Sequence, residues 1–226
     1  YLVTSTEREG LVYHTSSKEF EPFLMEKIGR LSTFTCWSFI GLSLVFTTLS
    51  LCSWYEVFGL QIHSTIFTIG SVLYPVVFAN SLLVTLVVTF VLIPSANKRG
   101  DPLENWFKLP ELIMHNANLI VLIFELITGN IIIDFKYIPL VTLFGISYVI
   151  FAAFYENKTG IYFYSFLDPR VNKSVIIHLA LLFATVICFS IIFIFELALN
   201  KWFLPTICLL VIITPFLLYV RNPQVT

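Results

Sequence analysis

The chain has 226 residues, of which 58% are apolar and 12% charged; a soluble domain carries about 25% charged residues. Its net charge of -1 leaves no basic patch to release counterions, which excludes nucleic acid as a partner. Mean hydropathy is +0.88, and lipid tolerates so sparsely charged a surface where water does not.

Residues 1–30 are too polar to span a bilayer and lack the apolar run of a signal peptide. They read as a polar arm whose amphipathic tail, Phe20 to Ile28, forms an interfacial helix. A spanning helix needs about 20 mostly apolar residues. Six runs approach that demand in turn: about 31–53, 64–93, 112–133, 137–155, 174–199 and 203–220, with 221–226 as a tail. The second run is long for one crossing, which implies tilt or an interfacial first turn, and Pro75 marks the expected kink. Spanning backbone must satisfy its own hydrogen bonds. The fold expected is therefore all-α, an integral membrane helical bundle of about six transmembrane helices.

The cations sort by loop. Arg8, Lys18, Lys27, Arg30, Lys98, Arg99, Lys108, Lys158, Arg170, Lys173 and Arg221 fall on one side of that topology. Only Lys136 and Lys201 fall on the other. Cytoplasmic loops collect Lys and Arg, so both termini are expected in the cytoplasm, with the endoplasmic reticulum or the plasma membrane as the expected location. The cysteines Cys36, Cys52, Cys188 and Cys208 are scattered, with no CxxC pair. They read as small apolar packing residues, and neither a metal nor another cofactor is expected.

Ionisable and amide side chains within lipid are costly and mark functional candidates. His115, Asn118, Leu122 and Glu125 recur at i, i+3, i+7 and i+10, one face of the third segment, with Asn116 beside them. His178 lies early in the fifth segment, and Asn80, Glu196 and Asn200 are further polar positions. The plain alternative is helix-to-helix hydrogen bonding, worth about 1 kcal/mol or less per contact. Depth adds information. Thr33, His115 and His178 each stand near the start of an odd-numbered segment, hence near one membrane surface. A hydroxyl and an imidazole at one depth are the minimum for a nucleophile with its general base.

Four stretches carry a family resemblance. Arg30-Leu-Ser-Thr33-Phe opens the first segment, and Met114-His115 stands ten residues before Glu125. Thr159-Gly160 precedes the aromatic run Tyr162-Phe-Tyr-Ser-Phe-Leu-Asp168, and Glu196-Leu-Ala-Leu-Asn200 closes the fifth segment. In order and spacing these resemble the androgen-induced gene family of multi-pass membrane threonine hydrolases. The resemblance implies hydrolysis of fatty acid esters of hydroxy fatty acids, with Thr33 as nucleophile and His115 as base. Asn116, Asn118, Glu125 and His178 then become candidate substrate-binding residues, with Asn116 and Asn118 nearest to a developing oxyanion. Glu125 is about 15 Å beyond His115 along the helix, too far to orient its ring.

The chain also departs from that family. A polar arm stands where the family has an apolar helix before its threonine segment, and the run 203–220 follows the family's last helix. A bundle remodelled in this way fits a second reading, a non-catalytic subunit or scaffold of a larger membrane complex. Expected partners are thus membrane lipids, a lipid ester substrate and possible companion subunits. A transporter built on the His115–Glu125 stripe ranks third, since no repeat or pair of broken helices accompanies it.

Overall fold

A computed structural model describes residues 7–61, 63–129 and 131–219. Five helices among the described residues are long and apolar enough to cross a membrane. They are α1 (Phe34–Val57), α2 (Ser64–Arg99), α3 (Leu109–Thr128), α4 (Phe135–Thr159) and α5 (Ser174–Lys201). A shorter apolar helix, α6 (Phe203–Leu217), follows after Trp202 alone. The fold is an all-α helical bundle, as the apolar runs predict.

Helix α2 is its central element. Every residue from Tyr74 to Thr85 is buried, and α2 packs against α1, α3, α4 and α5. The main core gathers around it, with Val45, Leu119, Leu122, Val141 and Phe189 fully buried. Pro75 lies inside a continuous α-helical stretch; the departure from regular winding comes later, at a π-helical turn over residues 88–92. A second π-helical turn, over residues 113–117, interrupts α3. α6 spans about 22 Å at 1.5 Å per residue, short of a hydrocarbon core of about 30 Å. The end of α6 and the residues after it nevertheless return to the bundle, where Thr89 donates to the Leu217 carbonyl at 3.0 Å and Asn116 to the Tyr219 carbonyl at 3.0 Å.

The arm corrects the sequence reading. Residues Phe20 to Ile28 do not form an interfacial helix. Strands β1 (Glu7–His14) and β2 (Glu19–Glu26) pair antiparallel, and residues 27–32 form a 3₁₀ turn leading into α1. A two-residue strand, β3 (Ile161–Tyr162), joins β1 on its other edge. Pairing with β1 meets the backbone hydrogen-bonding demand of a segment too short and too polar for a stable isolated helix. The sheet is fastened to the bundle. Tyr13 and Phe20 pack with Tyr148, Tyr162 and Leu167, and the Arg99 guanidinium lies 3.9 Å from the Phe20 ring centroid.

The hairpin loop is closed by Lys18, whose N–H donates to the His14 carbonyl at 2.9 Å from a left-handed backbone (φ 60°). A side chain at such a position costs about 1 kcal/mol or more. Lys18→Gly is therefore expected to strengthen the hairpin by up to about 1 kcal/mol. Slower amide exchange in β1 and β2 would show it, and unchanged exchange would refute it. Below the sheet, Asp168 is 1% exposed and accepts from the Arg170 N–H at 3.0 Å and its Nε at 2.7 Å. Hydrogen bonding to Asp168, with Glu156 adding to it, raises the Arg170 pKa above its ordinary value, and the pair anchors the 161–173 connection.

Candidate functional site

Thr33 is the N-cap of α1. Its backbone is extended and its Oγ1 accepts from the Cys36 N–H at 3.2 Å, satisfying one of the free donors of the first turn. Along the antiparallel α1–α2 pair, Gly41 lies against Val77 and Gly70 against Thr48. That register sets Thr33 level with Thr85. The Thr85 hydroxyl donates to the His115 carbonyl at 2.7 Å. Both α1 and α2 pack against the π turn that holds His115. The candidate nucleophile and base are thus brought to one level of the bundle.

His115 is buried, as are Asn116 and Asn118. Its ring lies tilted against Trp106, 5.9 Å between centroids. Its Nδ1 is 3.7 Å from Glu111 Oε2, and the two side chains are 9% and 10% exposed. That separation is an ion-pair distance rather than a hydrogen bond, and catalytic contacts often tighten only when substrate is bound. The sequence reading missed Glu111. Its signal was the i, i+4 spacing to His115, which puts the two on one helical face.

The other candidate binding residues separate. The Asn116 amide is spent on the Tyr219 carbonyl, and the Asn118 Oδ1 accepts from the Leu119 N–H at 2.7 Å. Glu125 lies in a different hollow, beside Ser53, Trp54 and Val57 near the far end of α1. Asn80 donates to Val76 and Asn200 to Glu196, each within one helix turn.

His178 lines an apolar cleft. The cleft runs between α1, α2, α4 and α5, beneath Tyr164 and Phe166 of the 161–173 connection. Its wall includes Phe34 and Thr35, the two residues after Thr33, but neither Thr33 nor His115 is part of it. Further polar groups there, Thr35, Tyr148, Tyr164 and Thr185, were not singled out by the sequence reading. Tyr164 stands in the aromatic run, and Thr35 looked like any membrane threonine. The Thr35 side chain and the N–H groups of Phe34 and Thr35 approach the Tyr164 oxygen, but burial outweighs them and pushes the phenol pKa up to about 12, so Tyr164 is neutral. Beside it the Tyr148 hydroxyl donates to the Ser32 carbonyl at 3.1 Å. The start of α1 is therefore held by two tyrosines.

Compared with known proteins, the chain matches no family model, no curated protein and no solved structure at a significant level.

Proposed function

We propose that the chain is a membrane-embedded hydrolase of fatty acid esters of hydroxy fatty acids, with Thr33 as nucleophile and His115 as general base. The observation that carries this reading is the shared level of Thr33 and His115 about Thr85, with a carboxylate, Glu111, behind the imidazole. In the first step the Thr33 oxygen bonds to the ester carbonyl carbon while His115 takes the hydroxyl proton. The carbon–alkoxide bond then breaks, and the alcohol leaves with that proton. Water hydrolyses the acyl-threonine in the reverse sense, freeing the acid and Thr33. Glu111 holds the imidazole and stabilises its cation. The acyl chain enters from the lipid, and the basic-loop side, both termini included, faces the cytoplasm.

The test is turnover by the purified chain in nanodiscs. His115→Gln is expected to lower kcat by about 10²–10⁴-fold, the usual contribution of a general base. Glu111→Gln is expected to lower kcat by a smaller factor, with KM unchanged. Undiminished turnover in His115→Gln would sink the assignment.

The second reading, a non-catalytic subunit of a membrane complex, is favoured by one observation: Thr33 and His115 lie outside the cleft wall. It predicts no turnover in the parent chain and companion subunits that copurify with it unchanged in Thr33→Asn.

A further inference from the structure

Three buried polar atoms of the bundle have no hydrogen-bond partner among the described residues: Ser38 Oγ on α1, and Asn80 Oδ1 and Ser81 Oγ on α2. Their residues are 1%, 0% and 1% exposed. They share one level of the α1–α2 seam. Gly41 meets Val77 in that seam so closely that a Cβ on the glycine would lie 2.9 Å from a valine methyl. Ser38 is three residues before Gly41, and Asn80 and Ser81 are three and four after Val77. In an antiparallel pair all three therefore lie about one turn from that contact, on the same side of it. Helix α3 adds to the layer. Tyr74 reaches the Leu122 carbonyl and Thr85 the His115 carbonyl, which sets the buried Asn118 level with residues 80–81.

Other helical serines of this chain turn back on their own helix: Ser43 donates to the Phe39 carbonyl, Ser71 to Phe67 and Ser190 to Val186. Ser38 and Ser81 do not, nor do they bond to each other. Each hydroxyl has one proton to donate. Asn80 spends its amide N–H on the Val76 carbonyl at 2.8 Å, so the atom left over is its oxygen, which only accepts. Lipid supplies nothing that meets these needs. Two donors and one acceptor select the ligand. A cation would occupy oxygen lone pairs, leave two hydroxyl protons unspent and bring a charge into a layer of serines and asparagines with no carboxylate to balance it. A halide would take the two protons but face the Asn80 oxygen. A water accepts both protons and donates to Asn80 Oδ1. That makes about three hydrogen bonds, the usual complement of a buried water.

We propose that the α1–α2 seam binds one water molecule, which accepts from Ser38 and Ser81 and donates to Asn80. The water positions helices and does not react. Ser38 follows Thr33 by five residues and Ser81 precedes Thr85 by four. The water therefore ties α1 to α2 about one turn inside the level at which Thr33 and Thr85 stand. The site does not depend on any ester chemistry.

The test is a crystal structure of the full chain grown from a lipidic mesophase, at a resolution that shows ordered waters. A density peak is expected within about 2.6–3.2 Å of all three oxygens. Absence of that peak, or a direct bond between Ser38 and Ser81, would overturn the proposal. Melting in detergent identifies the occupant. Equal melting temperatures are expected in sodium, potassium and choline chloride and in choline gluconate at one ionic strength. A rise with either metal ion over choline, or with chloride over gluconate, would assign an ion instead of water. Ser38→Ala and Ser81→Ala are each expected to lower the melting temperature by about 2–4 °C. The double variant is expected to lose less than the sum, because the two hydroxyls share one partner. Additive losses would show that they do not, and the shared water would be rejected. The crystal structure and the salt comparison need no variant, so they decide the matter even if a substituted chain fails to fold.

Discussion

Thr33→Asn is expected to abolish covalent labelling by a fluorophosphonate probe and to lower ester turnover by about 10³-fold or more, the scale on which a lost nucleophile acts. The choice of asparagine matters, because Thr33 holds two offices. Its oxygen caps α1 through the Cys36 N–H, and the cap is worth about 1 kcal/mol. Thr33→Ala would remove cap and nucleophile together and leave the cause of a loss ambiguous. Asparagine is among the best N-cap residues and has no nucleophilic hydroxyl, so it keeps the first and deletes the second. Thr33→Ser retains both and is expected to keep labelling. Probe labelling that persists in Thr33→Asn at the parental level would show that another group reacts.

The second large effect is expected at Thr85. A π turn breaks the regular ladder of i to i−4 hydrogen bonds, and the Thr85 hydroxyl bonds to the His115 carbonyl within that turn. Thr85→Val keeps the shape and removes the donor. A buried carbonyl deprived of its partner costs about 1–3 kcal/mol, so the variant is expected to melt earlier in detergent and to lose turnover, since His115 is no longer held. Thr85→Ser restores the hydroxyl and is expected to restore both. If Thr85→Val melts with the parent and turns over normally, the link between α2 and the His115 turn has no functional weight.

The bundle was legible in the sequence because lipid imposes a length and a polarity on every crossing. Segment starts were found to within a few residues. Ends were less visible where a helix continues past the apolar run, as α2 does through Lys98 and Arg99, whose charges read as loop. The arm was misread because Phe20, Phe23 and Ile28 mimic helical spacing. What decides that segment is pairing with β1, a partner held at a distance by the turn 15–18, and with it the docking of β3 from beyond residue 160. In the site, Thr33 and His115 were visible as residue types at one depth. Thr35 and Tyr164 were not, because their roles arise from the cleft, and a cleft is a property of four helices together. Glu125 was misleading for a related reason: its face of α3 is right, but its end of the bundle is not.

The two π turns carry an implication for how this chain tolerates change in length. Each is one residue more than a regular helix would use over the same rise. Thr89 in one and Asn116 in the other both hold the stretch 217–219, and between them Thr85 reaches the His115 carbonyl. Deleting one residue within 113–117 would let α3 relax to ordinary winding with the faces on either side of it kept. Glu111 on one side and Leu119 and Leu122 on the other would hold their places, while the wide turn that presents the His115 carbonyl to Thr85 would be gone. The same deletion in a regular stretch of α3 would instead turn one half by about 100° relative to the other. Hydropathy is blind to the difference, so the tolerance of α3 to a lost residue is set by where its surplus residue lies.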